Sequence, residues 1–325
     1  MHSCARGLVV LTFIFFGCLA FGAEITGTGH RFIAGQDGKQ LAIVSAKGEI
    51  EWSHPIRAIH DAYLLPNGNI LFQTDFQNIL EMTPDKKTVW SYNAGKMNGN
   101  GPTAENPKGR PVEVHAFQRL ADGITMIVES GPARILEVDK DGKIVKELKL
   151  TVKHHSTHTD TRNVRKLANG HYLVAQASDA AVREYDENGK IVWEYEIPLF
   201  DKKPAGGHGP EAWGNECYSA LRLSNGNTLI STGNGHGIIE VTPAKEIVWH
   251  LSQDELPGIQ LAWVCQIQAL KNGNIVIDNC HAGPKNPQII EVTRDKKVVW
   301  SYKDHVNFGN AVPVSFVIDS EDSIR

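Results

Sequence analysis

Five of the fourteen histidines in this chain lie seven to eleven residues from a short Asn-Gly or Asp-Gly turn. His60 lies seven residues before Asn67, and His115 lies seven residues before Asp122. Imidazole changes its charge near neutral pH and binds metals, so histidines that converge on one place can do acid–base or metal chemistry. The five candidate catalytic residues are His60, His115, His158, His236 and His281.

Three kinds of chemistry stay open for such a group. Gathered imidazoles and carboxylates can bind a divalent metal that polarises a substrate or activates water. They can instead act without a metal, as general acids, general bases or nucleophiles. They can also line a water-filled channel as hydrogen-bonded polar residues. The candidate metal ligands are His60, His115, His158 and His236.

Further polar residues occur at equivalent heights on the predicted strands and are candidate ligand-binding residues. They are Asp61, Asp160, Arg162, Asn163, Glu216, Tyr218, Asn234, Gln266 and Asn279. Two tryptophans, Trp213 and Trp263, could form aromatic walls against a bound molecule.

An internal repeat predicts the elements that must hold these residues. Its six copies span residues 42–52, 79–90, 136–146, 183–193, 238–249 and 289–300. Before five of the copies an apolar run meets an Asn-Gly or Asp-Gly pair, which is typical of a hairpin with a primed turn and positive φ at both central residues. Each unit is therefore four strands. Four-stranded units of roughly 40 to 50 residues repeated around a ring form a β-propeller.

The two chain ends supply the sixth blade. Residues 30–52 provide three strands, and the segment that begins at Val314 provides a lone first strand. Pairing of these segments would close the ring and remove free sheet edges. We predict an all-β, six-bladed propeller as a single domain over residues 23–325; a seven-bladed ring is the alternative. The predicted blades span residues 26–54 with 312–325, 59–94, 114–151, 158–198, 215–252 and 263–302.

The irregular segments of the chain fall on one face of the predicted ring. They are residues 93–111, 152–161 and 201–215, and long connections of this kind often carry function. His60, His115 and His158 lie where the chain enters the inner strands at that face, and His236 and His281 lie where the return strands leave at the same face. The repeated tryptophans and glutamates occur in nearly every blade, so we interpret them as structural.

Composition and the N-terminus place limits on location and partners. An apolar run from Leu8 to Leu19, followed by small residues, predicts a secretory signal peptide over residues 1–22, with a lipid anchor on Cys18 as the alternative. We therefore expect a secreted or periplasmic protein with no further membrane span. The formal net charge of −4 gives no basic footprint for nucleic acid.

Three cysteines remain after the predicted cleavage. Reflection through the turn at Asn272 and Gly273 places Cys265 opposite Cys280, so a disulfide between them is plausible. Cys217 would then be an unpaired thiol, and disulfides would not hold the fold together.

The repeats Leu-Pro-Asn-Gly-Asn-Ile-Leu and Ile-Leu-Glu-Met-Thr-Pro-Asp-Lys-Lys-Thr-Val-Trp resemble those of the PQQ-like (quinoprotein-like) propeller proteins and of the six-bladed arylsulfotransferases. For the arylsulfotransferases the resemblance implies a central histidine that carries the sulfuryl group. His60 and Asp61, which precede Leu-Leu-Pro-Asn-Gly-Asn, match the sequence pattern of that family's blades. The family's catalytic His-x-Asn and Arg-His segments have no clear counterpart. Quinone-dependent dehydrogenases are usually larger, eight-bladed rings, so the resemblance does not imply PQQ.

The sequence thus predicts an exported propeller with one ligand site at the axial opening, for a small polar molecule or a saccharide. The enzyme hypothesis is a lyase, hydrolase or transferase; a divalent metal is the one cofactor it suggests. The alternatives are sulfuryl transfer through a central histidine and a non-catalytic scaffold for a peptide or another envelope protein. An enzyme predicts clustered histidines, whereas a scaffold predicts a broad apolar patch.

Overall fold

The computed structural model describes residues 22–321 and 323–325. The predicted signal peptide and Cys18 therefore lie outside the described residues, except for Gly22. In the described ranges, no helix has the combination of length and apolar character that crossing a membrane requires.

Twenty-five strands and one short helix make up the described chain. In chain order the strands are β1 (Glu24–Gly27), β2 (Phe32–Gln36), β3 (Gln40–Val44), β4 (Ile50–Pro55), β5 (Ala62–Leu64), β6 (Ile70–Gln73), β7 (Asn78–Met82), β8 (Thr88–Asn93), β9 (Glu113–Arg119), β10 (Thr125–Ser130), β11 (Arg134–Val138), β12 (Ile144–Lys149), β13 (Val164–Lys166), β14 (Tyr172–Gln176), β15 (Ala181–Tyr185), β16 (Ile191–Glu196), β17 (Ala220–Arg222), β18 (Thr228–Ser231), β19 (Ile238–Val241), β20 (Ile247–Leu251), β21 (Trp263–Ala269), β22 (Ile275–Cys280), β23 (Ile289–Val292), β24 (Val298–Lys303) and β25 (Val314–Val317). The helix α1 (His305–Phe308) connects β24 to β25.

These strands form six antiparallel sheets, the blades of a six-bladed propeller. Blade 1 has the order β25-β2-β3-β4, and blades 2 to 5 each take four consecutive strands from β5 to β20. Phe32 pairs with Val317 and Gly35 pairs with Val314, so the two chain ends share blade 1. The predicted fold class and its closure are confirmed.

Blade 6 has a fifth strand that the sequence analysis did not predict. Strand β1 pairs with the outer edge of β24, from Glu24 opposite Lys303 to Gly27 opposite Trp300. The N-terminal segment therefore contacts blade 6 before the chain enters blade 1.

The hairpin turns are tight, but they are not the predicted primed turns. Leu65 N donates to the Asn69 carbonyl at 2.8 Å, and Gly68 N donates to the Leu65 carbonyl at 2.9 Å. Of the two central residues only Gly68 has a positive φ, of 84°. The connection is a three-residue loop that ends in glycine. The Asn67 side chain stabilises it by accepting a hydrogen bond from Asn69 N.

The repeated tryptophans and glutamates connect neighbouring blades. Trp90 in blade 2 donates its indole hydrogen to the Lys140 carbonyl in blade 3 at 2.9 Å. Glu81 in blade 2 forms an ion pair with Arg119 in blade 3 at 2.8 Å, and the Arg119 guanidinium lies over the Trp90 ring. The same arrangement recurs from blade 4 to blade 5 and from blade 5 to blade 6. These residues hold the ring together.

Candidate active site

A cavity of about 190 Å³ opens at one end of the propeller axis, and every blade except blade 3 contributes lining residues from its strands or adjoining loops. One edge strand of each blade lies nearest the axis, and neighbouring inner strands contact one another around it. From blade 1 to blade 6 these inner strands are β25, β5, β9, β13, β17 and β21. Most lining residues lie on the loops at this end of the ring, whereas Trp263 and Cys265 lie on β21 and Cys280 lies on β22. The lining residues are Asp37, His60, Phe76, His158, Arg162, His208, Tyr218, Trp263, Cys265, Cys280, His281 and Pro313.

Three of the predicted histidines come together beside this cavity. The ring centroids of His60 and His115 are 4.3 Å apart, and those of His115 and His158 are 5.3 Å apart. His60 and His115 are buried, whereas His158 is about half exposed. The cluster therefore combines two desolvated imidazoles with one that reaches the solvent.

Local backbone features place the two buried rings. His60 precedes β5, and the Gln73 side chain accepts hydrogen bonds from the backbone N–H groups of both His60 and Asp61. His115 is the extra residue of a β-bulge, because Val114 and Ala116 pair with consecutive residues of β10. A bulge re-aims the side chain that it carries. In this case it brings an imidazole to the axis from a strand that is otherwise regular.

Glu113 joins the cluster, and the sequence analysis missed it. Its Oε2 atom lies 3.0 Å from His115 Nε2 and 2.6 Å from His158 Nδ1. Burial opposes ionisation, but the contacts with His115 and His158 lower the pKa of Glu113 to about 2. The signal in the sequence was its position two residues before His115 on an inner strand.

The hydrogen-bond partners define the protonation of this cluster. Burial lowers the pKa of His115 to about 4, so its ring is neutral at neutral pH. Its Nδ1 atom lies 2.6 Å from the Thr161 carbonyl, which can only accept, so the ring hydrogen is assigned to Nδ1. Nε2 therefore presents a lone pair to the carboxylate of Glu113. A proton or a metal ion is needed between these two atoms.

The donor set fits a divalent metal. The ligand atoms of Glu113, His115 and His158 all lie within 4.8 Å of one another. Two imidazoles and one carboxylate are a ligand set that suits zinc and similar transition ions, with coordination positions left open. A cation bound there would replace the hydrogen that His158 shares with Glu113. The predicted ligands His60 and His236 are not in this set.

His60 lines the cavity and has a buried ring nitrogen, Nδ1, without a protein partner among the described residues. Burial, together with the neighbouring His115 and Arg162, lowers its pKa well below the usual value. A neutral imidazole with a free ring nitrogen can accept a proton from a bound molecule.

The remaining predicted residues fall into two groups. Arg162, Tyr218, Trp263 and His281 line the cavity with His60 and His158. The others do not line it and have structural contacts instead. They are Asp61, Asp160, Asn163, Trp213, Glu216, Asn234, His236, Gln266 and Asn279.

His236 is the candidate catalytic histidine that the fold takes elsewhere. It lies in a tight turn with a positive φ of 54°. Its Nε2 atom is hydrogen-bonded to the Ala212 carbonyl, and its ring packs against Trp213 at a centroid distance of 5.6 Å. The ring therefore anchors the insert 201–215 and does not face the axis. His236 was predicted as a metal ligand from its position along the strand, and that position does not reveal the tight turn.

The predicted register that places Cys265 directly opposite Cys280 is wrong, although the two thiols do contact each other. Because the turn is a three-residue loop and a bulge follows Val264, Cys280 pairs with Trp263. Both cysteines are free and buried, and both line the cavity. Cys217 is also a free, buried thiol.

Fold and site together define a six-bladed β-propeller with a buried histidine and glutamate cluster at one axial opening. No family model matches the chain, and no curated protein matches it. A protein of unknown function from Bacteroides caccae is similar in structure, with a TM-score of 0.71, 23% identity, and coverage of 88% of this chain and 98% of that chain.

Two solved lyase structures share the fold at lower similarity. A streptogramin B lyase gives a TM-score of 0.55 at 14% identity and covers 89% of both chains. An inactive virginiamycin B lyase from Staphylococcus aureus, solved with quinupristin, gives a TM-score of 0.53 at 13% identity, covering 87% of this chain and 89% of that chain. These likenesses concern the fold.

Proposed function

We propose that this protein is an enzyme that transforms a small polar molecule in the axial cavity, with His60 as general base and a divalent cation held by Glu113, His115 and His158. The observation that carries the proposal is the convergence of these four side chains, three of them histidines, beside one cavity. Perturbed, buried titratable groups in a cleft are typical of catalytic sites.

Each part has a chemical task. A bound divalent cation would act as a Lewis acid that polarises a substrate oxygen. His60 would take the proton, because its ring is neutral and Nδ1 is unpartnered. Trp263 and Phe76 offer apolar faces to the carbon skeleton. Proton removal beside a polarised oxygen is common to lyases, hydrolases and transferases, and lyase is the class named for two structural neighbours.

The scaffold alternative requires a broad apolar patch on one face. The valines most exposed on the described outer strands are distributed one to a blade: Val89, Val145, Val192, Val248 and Val299. They encircle the rim. Phe200 and Ile247 are exposed together at a cavity of about 240 Å³ beside blade 5, which is a local feature of that blade. The axial cavity, with its histidines and Glu113, is the feature that favours an enzyme. We place the enzyme outside the cytoplasm as part of the proposal, because of the predicted signal peptide.

The first test is the affinity for Zn²⁺. We expect the metal-free protein to bind about one Zn²⁺ per chain, and Glu113→Gln to weaken binding by at least 10-fold, because even an outer-shell change costs about 10- to 100-fold. Glu51→Gln is the control, because Glu51 pairs with Arg31 at the surface. Isothermal titration calorimetry measures the affinities. Equal affinity in Glu113→Gln and the wild type would refute the proposed ligand set.

The second test concerns His60. In a screen of sugar glycosides, uronates and phosphate esters with Zn²⁺-loaded protein, we expect turnover that falls about 10² to 10⁴-fold in His60→Ala, the range for loss of a general base. His250→Ala is the control, because that histidine is about half exposed on an outer strand. The enzyme proposal fails if the wild type transforms none of these compounds, or if His60→Ala is as fast as the control.

A further inference from the structure

One buried arginine at the axial cavity has no carboxylate partner. Arg162 is only 5% exposed, and its Nε atom is buried without a hydrogen-bond partner. Its side chain is 3.3 Å from His158 Nε2, a neutral acceptor, and lies over the Tyr218 ring. Asp37 lines the same cavity, but among the described residues neither it nor any other carboxylate forms an ion pair with Arg162.

The other buried arginines of the described chain are all paired. Arg165 contacts Asp61 at 2.8 Å, Arg134 contacts Glu129 at 2.8 Å, and Arg183 contacts Asp179. Burial of a charge is costly unless an opposite charge or strong hydrogen bonds compensate it. Arg162 departs from this pattern at the same place where a ligand would enter.

Two more polar groups around the cavity lack partners. The Tyr218 hydroxyl and His60 Nδ1 are buried and make no hydrogen bond. Buried polar atoms are nearly always hydrogen-bonded, so such a concentration at one cavity calls for a bound partner. A guanidinium and a phenol hydroxyl both donate, and an oxyanion is the group that accepts from both.

We infer that the axial cavity binds a small molecule through an oxyanion group, a carboxylate, phosphate or sulfate, which pairs with the Arg162 guanidinium and accepts from Tyr218. This deepens the proposed function, on which it rests, by giving the substrate class of the same site. The cavity of about 190 Å³ limits the bound part to one ring-sized unit. Trp263 and Phe76 would contact its apolar surface. The anion would lie beside the cation site, because His158 belongs to both groups of contacts.

The test uses D-glucuronate and inorganic phosphate as probes, with D-glucose as the neutral match for glucuronate. We expect calorimetry on the mature wild-type chain to show binding of both anions and at least 10-fold weaker binding of glucose. Phosphate should compete with glucuronate. Binding of phosphate alone would assign the site to phosphate-bearing molecules, and binding of glucuronate alone to carboxylates. If the wild type binds neither anion more tightly than glucose, the inference is overturned, and no variant is needed for that result.

Substitutions locate the site. Arg162→Met should lower anion affinity at least 10-fold, whereas Arg162→Lys, which keeps the charge, should retain part of it. Arg31→Met is the control, because Arg31 pairs with Glu51 at the surface. Anion binding that survives in Arg162→Met would overturn the assignment.

A Zn²⁺ titration of the same proteins separates the two proposals. Retained Zn²⁺ affinity with lost anion binding in Arg162→Met supports both. If the wild type binds Zn²⁺ but binds neither anion more tightly than glucose, the anion inference fails and the cation site stands. If it selects the anions but binds no Zn²⁺, the anion site stands and the cation site fails.

Discussion

Removal of residues 312–325 should abolish the cooperative folding of the ring. Val314, Phe316 and Val317 of β25 are almost fully buried, and β25 pairs along its length with β2. Burial of one such side chain contributes about 1.5–3 kcal/mol, and the total stability of a domain is about 5–15 kcal/mol. Because the deletion removes three such side chains and a whole inner strand, we expect the free energy of unfolding to fall by most of that total. Urea unfolding followed by near-ultraviolet circular dichroism measures the transition.

The matched control removes the other terminal strand. Deletion through Gly27 takes away β1, whose residues are mostly exposed on the outer edge of blade 6. We expect this variant to keep a cooperative transition with a modestly lower urea midpoint. If the C-terminal deletion unfolds at the same urea concentration as the wild type, the ring is not closed by β25, and the axial site loses the blade that provides Asp37 and Pro313.

Substitution of methionine for Arg165 and for Arg162 should have opposite effects on the free energy of unfolding. Arg165→Met leaves Asp61, which is 1% exposed, as a buried and uncompensated carboxylate. We expect a loss of about 3–5 kcal/mol in the free energy of unfolding. Arg162→Met removes a charge that has no carboxylate partner, so we expect the protein to be as stable as the wild type or more stable.

Chemical denaturation of the two variants in one buffer checks this difference. The buffer should contain no phosphate, sulfate or carboxylate, because an anion bound at Arg162 would stabilise the wild type by mass action. An equally large loss in both variants would mean that Arg162 is compensated within the chain. Equal and small losses would mean that the Asp61 and Arg165 pair does not support the inner strands.

The blades were predictable because each repeats the same local signals. The apolar runs, the Gly after each Asn or Asp, and the Trp that ends five of the six units specify strands and turns without reference to distant residues. The closing strand at Val314 was predictable because one blade lacked its first strand. Strand β1 was not, because its four residues are outside the repeat and pair only with the edge of β24.

The site was less predictable because it depends on departures from regular pairing. The bulge at His115 and the bulge after Val264 are single irregularities in otherwise ordinary strands, and neither has a signature in the sequence. The number of residues between each histidine and its turn predicted that His60, His115 and His158 lie together, and they do. The same count placed His236 at the axis, but a tight turn directs its ring to Trp213 instead. Glu113 was not predicted, because the candidate residues were chosen by the positions of histidines and their neighbours on the strands.

Crystals of the protein grown with Zn²⁺ and measured at wavelengths on both sides of the zinc absorption edge test the axial site most directly. We expect one strong anomalous peak, about 2.0–2.2 Å from an oxygen of Glu113 and from ring nitrogens of His115 and His158. A fully formed ring with the zinc peak at some other place on the molecule, or with no peak at all, would contradict this prediction.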